Sequence, residues 1–428
     1  MRDSRHSANT AKTAFSGALM IFLALGMATN ASAGPDRDQA KRIHDRLVGT
    51  PPSIACLDQL EARLQNEGAK AVALDAIDKD PADAEDHCVD PSFYNVTLKN
   101  FITPWTNEEQ SVFAPLNDYT ATVIGIIRDN VDFREILYGD ILYTGSNDIS
   151  PPYANNSNAH YEAMEEQGVN LADPTALVDR KQSTVTQSAG GGAGLPDTAT
   201  AGIITSRAAA RAFFIDGTNR AMFRFTLLNH LCTDLEQIKD PTRTHDRIPQ
   251  DVARSPGGDS RIFMNACVGC HAGMDPLHQA LAYYDFEYPD GNSDGGQLVY
   301  NTSDVETDNE GEPTRVQRKY LINANNFEFG YVVTDDQWEN YWRKGPNSVL
   351  GWNPTPMSND GKGAGAKSFG MEFAYSEAFA RCQVKKVFKA VCFRPPNDGQ
   401  IDTLITTFKD GYRLKDVFAE SAAYCRGD

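Results

Sequence analysis

Positive charge is scarce in this 428-residue chain: 40 Lys and Arg stand against 58 Asp and Glu, a formal charge of −18. Such an excess of acid argues against nucleic acid and against an anionic bilayer surface as partner, since both would repel it. It is compatible with a basic docking partner and equally with an ordinary solvated acidic surface. Apolar runs of membrane-spanning length are absent beyond the first thirty residues, so no membrane span is expected in the rest of the chain. No Ser-His-Asp set, paired carboxylates or Gly-rich phosphate loop is visible, which leaves those kinds of catalysis without residues to carry them. No segment repeats with a fixed period.

Residues 1–33 read as an export leader. Arg2, Arg5 and Lys12 form a positive n-region, Phe15 to Met27 an apolar core too short to span a bilayer comfortably, and Ala31-Ser32-Ala33 a small-residue cleavage site. There is no twin-arginine pair, and Gly34 is not a lipid-bearing cysteine, so the plain export route with a cleaved signal peptide is expected. An uncleaved anchor is the alternative. Removing the leader, with three basic and one acidic side chains, takes the formal charge from −18 to −20. The expected location is periplasmic or secreted.

Against these absences stands one dense motif, Cys267-Val268-Gly269-Cys270-His271. Two thiols three residues apart followed at once by an imidazole match the c-type haem attachment pattern. The spacing has a chemical reason: two sulfurs must meet the two vinyl groups of one porphyrin while the next ring nitrogen reaches the iron. Cys267 and Cys270 are therefore the expected thioether residues, and His271 the proximal ligand, of one covalent haem c. A thioredoxin-like dithiol expects a preceding βαβ pattern, whereas Ile262, Phe263 and Ala266 after an N-cap at Asp259 or Ser260 read as a helix. A zinc site needs two further ligands at metal-binding spacing, and no second Cys-x-x-Cys or His pair lies nearby. The other six of the eight cysteines, Cys56, Cys88, Cys232, Cys382, Cys392 and Cys425, permit three disulfides in an oxidising compartment. Cys382 and Cys392 share one expected helix, where ten residues rise about 15 Å, too far to bond. Cys56 is expected to pair with Cys88.

The pattern along the chain is mainly α: a helical N-terminal domain over 34–187, a flexible loop or linker over 188–202, and a cytochrome-c-like helical haem domain over 203–428 with a small β-hairpin insertion. Helices are expected to end at Gly49 and Gly68. Thr106 with Glu109 reads as a capping box, HYEAMEEQG and DPTALVDRK as short helices, and Met222 to Ile238 as one buried core helix in which His230 is expected to be a satisfied core or surface histidine and not a ligand. QLVY with RKYLINANNFEFGYVV reads as the hairpin. Thr334 and Gln337 read as the cap of a helix over DDQWENYWRKG, and two C-terminal helices are expected over about 371–393 and 399–420.

The sixth coordination position decides what such a haem does. Met357, in the irregular stretch NPTPMSND, is the candidate sixth ligand, and Met371 is second; the alternative is that either thioether fills a gap in the core. Met274 and His278 lie too close along the helix to His271 to reach the opposite face. Asp275 or a local carbonyl would accept the other His271 ring N–H, unless Asp275 merely caps or stops the helix before Pro276. Tyr283, Tyr284, Trp338, Trp342 and Trp352 are candidate pocket walls or ordinary core.

CVGCHAGMDPLHQALAYYDF resembles the Cys-x-x-Cys-His segment, with its following Met-Asp-Pro, of the cytochrome-c-containing proteins first described in planctomycetes as a set of adjacent domains of unknown function. FREILYGDILYTG with NAHY, GTNRAMFRFTLLNHLC and SEAFARCQVKKVFKAVC are similar to further segments of that family. The resemblance implies a mostly helical, secreted haem protein and no particular substrate. Relatives often carry an additional cytochrome domain, whereas one attachment motif is present here. The leading expectation is a periplasmic monohaem c-type cytochrome that transfers electrons to or from a redox protein partner, as a subunit or partner of an oxidoreductase. One alternative is a haem enzyme acting on peroxide or oxygen at an open sixth position; another is a binding module with a tethered haem.

Overall fold

The computed structural model describes residues 34–78, 87–88, 90–185, 194–215, 217–288, 295–321 and 326–427. The expected leader, and 188–193 of the expected linker, lie outside them. The chain is 52% helix and 8% strand, which sets the class as mainly α. Its helices of seven residues or more are α1 Pro35–Val48, α2 Ile54–Glu67, α3 Ala69–Ile77, α4 Asp118–Arg128, α5 Ala159–Glu166, α6 Arg207–Phe213, α7 Arg220–Leu231, α8 Val268–His278, α9 Gly365–Ala374, α10 Glu377–Cys392, α11 Asp398–Lys409 and α12 Leu414–Tyr424. Among the described residues, eight short strands pair antiparallel, each with the next in sequence, as two-stranded ribbons: β1 Leu142–Gly145 with β2 Leu177–Arg180, β3 Tyr284–Glu287 with β4 Gln297–Tyr300, β5 Glu306–Thr307 with β6 Pro313–Thr314, and β7 Gln337–Glu339 with β8 Lys362–Ala364 across a helical and irregular excursion over 340–361. Among the described residues no helix is long and apolar enough to cross a membrane.

Residues 35–428 form one unit, and a single core cluster runs from Ala40 through Phe223 and Leu277 to Ala422, across the boundary expected near 188–202. The periodicity of α1 explains its share: Ala40, Ile43, His44, Leu47 and Val48 fall on one buried face. Helix α2 starts where the Ser53 side chain accepts from Cys56 N–H and stops at Gly68, whose φ of +88° suits glycine. Helix α4 is buried on every side, so its two charges need internal partners. Asp118 accepts from the Arg207 and Ala208 backbone N–H groups and thereby caps α6 from a distance. Arg128 Nη1 donates to the carbonyls of Leu171, Asp173 and Leu177. At the other end of the chain α12 packs on α3 and α10, which closes the C-terminus against the first helices.

Several local expectations are corrected by tertiary partners. Thr106 ends a 3-10 turn, Thr103–Thr106, instead of capping a helix; the helix starts at Asp118, where Asn117 accepts from Thr120 N–H after Pro115 has passed. DPTALVDRK contributes strand β2. The helix expected over DDQWENYWRKG is β7 followed by a 3-10 turn at Tyr341–Arg343, because Trp338 Nε1 donates to Ser368 Oγ on α9 and the backbone pairs with β8. The QLVY strand pairs with β3, not with RKYL, which forms a helical turn. The core helix expected to reach Ile238 stops at Leu231, where Cys232 takes a left-handed φ of 53°. The two expected C-terminal helices are four, α9 to α12, broken at Tyr375–Ser376 and at Asp410–Arg413.

Three disulfides staple the fold: Cys56–Cys88, Cys232–Cys382 and Cys392–Cys425. The first is the expected pair. Cys382 and Cys392 share α10 and bond to other helices, as the helical rise requires. The link from the end of α7 to α10 closes 150 residues, worth about 5 kcal/mol in the chain-entropy account. Only Cys267 and Cys270 remain unpaired.

Beside that staple lies a buried polar cluster. The Tyr119 hydroxyl and His230 Nε2 are 3.2 Å apart, and Lys386 lies over the Trp105 ring while donating to the Asn229 carbonyl at 2.9 Å. Burial, with Lys386 nearby, pushes the His230 imidazole well below its ordinary value, and burial also lowers His44 and His160. For each, the fold favours the neutral ring, so the stabilisation is fully present above the unfolded value of about 6.5 and is lost as pH falls below it. The melting temperature should therefore fall between about pH 7 and pH 5. His230→Gln should make that slope shallower, whatever its absolute stability; an identical slope in wild type and variant would contradict the assignment.

Candidate functional site

The Cys-His motif opens α8. Asp259 accepts from Arg261 N–H as N-cap, a short helical stretch Ser260–Ile262 follows, and a π-helical turn at Phe263–Cys267 leads into α8 without a break. The wider π turn rotates the motif relative to the approach, a device that recurs at functional sites. Small residues seat α8 among its neighbours. Asp240 N–H donates to the Gly269 carbonyl at 2.9 Å; Ala272 is fully buried; and a Cβ on Gly273 would stand 2.0 Å from Trp342 Nε1. Cys267, Cys270 and His271 remain partly exposed on this otherwise buried helix.

His271 is held by a carboxylate one turn later. Its Nδ1 lies 2.8 Å from Asp275 Oδ2, with the Asp275 side chain 0% exposed and the His271 side chain 20% exposed. Burial works to raise the Asp275 carboxyl, but the Arg220 guanidinium and the His271 ring bring it well below the usual carboxylate range. An ionised carboxylate only accepts, so His271 Nδ1 carries a proton, and in the neutral ring the lone pair is on Nε2. That is the tautomer a metal-ligating imidazole needs. Asp275 Oδ1 accepts from Arg220 Nε at 3.1 Å, and Arg220 in turn donates both Nη groups to Asp251 at 2.8 and 3.1 Å. The Asp275 carbonyl accepts from His278 Nδ1 at 2.9 Å. Burial, then Arg220, pushes His278 down to about 4, so it stays a neutral, buried partner on the same helix. The helix passes through Pro276 to His278 instead of stopping before it.

The thiols lie on the side of residues 235–240, with Cys270 Sγ 3.5 Å from the Leu235 carbonyl. Burial pushes the Cys270 thiol up, away from the thiolate that a reactive dithiol needs. Phe263 stands beside the imidazole, ring centroids 6.3 Å apart. The same Phe263 lines an apolar cavity of about 390 Å³ with Ile248, Met264, Phe327, Phe329 and Tyr331, bordered by His245 and Arg254. Among the described residues no three His, Cys, Asp or Glu side chains converge as a metal site. The candidate haem residues fit their group by donor chemistry: two unpaired thiols three residues apart and a partly exposed imidazole whose Nδ1 is already engaged by Asp275, leaving Nε2 for a metal.

Met357 is 52% exposed on the turn Thr355–Ser358. The described contacts beside that turn run from Arg343 to the Asn353 and Asn359 carbonyls, and none joins it to Cys267–His271. Met371 lies on α9 and Met274 is buried in the core. Trp338 and Trp342 are fully buried, and Trp342 backs α8 at Gly273. Sequence reasoning missed Arg220 and Asp251. One signal was present: Arg220 opens α7, where a cation opposes the helix dipole and so calls for carboxylate partners.

Compared with protein families, characterised proteins and solved structures, the chain matches none. Gly273→Ala should displace Trp342 from α8 and cost about 1–3 kcal/mol, the usual penalty for overpacking. A denaturant midpoint equal to that of the wild type would show that α8 is not seated this way.

Proposed function

We propose that this chain is an exported monohaem c-type cytochrome, with haem c joined to Cys267 and Cys270 and ligated by His271, that transfers electrons with a redox protein partner. The observation that carries the reading is the division of the cysteines. Six are tied in disulfides, as an oxidising compartment allows, while the two at haem-attachment spacing are unpaired and stand beside an imidazole whose Nδ1 is held by Asp275. The resemblance to the planctomycete cytochrome-c-containing family supports the same reading, including its cytochrome-c-like helical domain. Exposed Ile262 and Met264, just before the motif, add apolar surface of the kind a covalent porphyrin covers.

Bound haem c supplies a one-electron couple. The chain's residues do the rest: Cys267 and Cys270 anchor, His271 ligates, Asp275 and Arg220 orient His271, and Trp342 and Asp240 fix the helix that bears it. Met357 is the proposed sixth ligand. A second reading, a haem enzyme with an open sixth position acting on peroxide or oxygen, is favoured by the exposure of Met357 on a turn tied to Arg343.

Expression with haem-maturation machinery should give a chain heavier by one haem, and Cys267→Ala/Cys270→Ala should lose that mass. Unmodified thiols in the wild type would sink the proposal. On the carrier reading the reduced protein is low-spin, and Met357→Ala turns it high-spin. A high-spin wild type that turns over peroxide, with the turnover lost in His271→Ala, selects the enzyme reading instead.

A further inference from the structure

We propose that Asp275 is a positioning residue that holds the reduction potential of the His271-ligated centre low, by taking the Nδ1 proton of His271 into a charge-assisted hydrogen bond. The inference rests on the haem assignment above and deepens it. A ring N–H given to a carboxylate leaves the opposite nitrogen more basic than one given to a neutral carbonyl, and a more basic ligand stabilises the oxidised metal.

The geometry divides the work of the carboxylate between its two oxygens. Oδ2 faces His271 at 2.8 Å, and Oδ1 faces Arg220 Nε at 3.1 Å. The guanidinium does not cancel this charge alone, because both its Nη groups are directed at Asp251. Arg254, another cation within electrostatic range, donates to the Ile248, Pro249 and Val252 carbonyls. The carboxylate is fully buried, where a charge acts with less screening than at the surface. A purely structural Asp275 would need only the Arg220 contact; the 2.8 Å bond to His271 uses the other oxygen and orients the proposed proximal ligand.

The test uses the haem-loaded chain and Asp275→Asn. Asparagine keeps the shape and an oxygen able to accept the Nδ1 proton but removes the charge. The reduction potential should move to more positive values, and the iron–histidine stretching frequency of a reduced, five-coordinate form should fall. A haem-loaded variant with potential and stretch unchanged overturns the inference. Should the variant fail to fold, the wild type decides: in the reduced, low-spin protein the His271 Nδ1 proton should resonate far downfield and exchange slowly, and rapid exchange overturns the inference. Absence of covalent haem from the wild type overturns instead the reading on which it rests, and mass measurement tells the two failures apart.

Discussion

A carboxylate with no exposed surface must be surrounded by donors, and Asp275 imposes that demand on the centre of the molecule. An uncompensated buried charge is strongly destabilising, so Arg220 at the start of α7 must reach it and His271 must turn Nδ1 toward it. The first contact fixes α7 against α8; the second fixes the imidazole. Packing and site chemistry thus share one group. Asp251 extends the arrangement to the loop before Ser260, since Arg220 is divided between the two carboxylates. The helix could not sit so close to these partners with larger residues at Gly269, Ala272 and Gly273, where Asp240, the core and Trp342 meet it.

How much of this was legible in the sequence depends on how local the deciding interaction is. Helices α1 and α2 were legible because their apolar spacing, the Ser53 cap and Gly68 lie within the segment. The helical approach to the motif was legible from Asp259 for the same reason. Thr106 misled, because a capping box is only a local preference, and Asn117 beyond Pro115 supplied a better start for a helix that buries every side. Trp338 misled more deeply: its segment has a helical cap signal, but the Ser368 hydroxyl and the β8 backbone, both distant in sequence, hold it as a strand. Arg220 was visible as an oddity at a helix start, but its partners at 251 and 275 were not.

The cysteines show the same rule. Cys56–Cys88, 32 residues apart, was the pair expected, whereas Cys232–Cys382 joins positions 150 apart and depends on α7 meeting α10. What the sequence did specify was the exclusion of a Cys382–Cys392 bond, since helical rise is independent of tertiary context. It also marked Cys267 and Cys270 as a pair with separate chemistry, and these are the two thiols left unpaired.

The size of the chain then acquires a reason. On the proposed reading, a single haem-bearing helix does not itself require 428 residues, but each support of α8 comes from a different part of the chain: Arg220 on α7, Leu235 and Asp240 after it, Asp251, Phe263, and Trp342 between β7 and β8. Holding these at fixed distances requires the shared core and the staple between α7 and α10. The two candidate influences on the metal differ in this respect. Asp275 is buried, doubly partnered and fixed to His271 by helical geometry, whereas Met357 is exposed on a turn whose contacts lead elsewhere. A Met ligand would raise the reduction potential and a carboxylate-bound histidine would lower it. On the proposed haem reading, the architecture concentrates its rigidity on the side that would lower the potential and leaves the proposed opposing ligand to a surface turn.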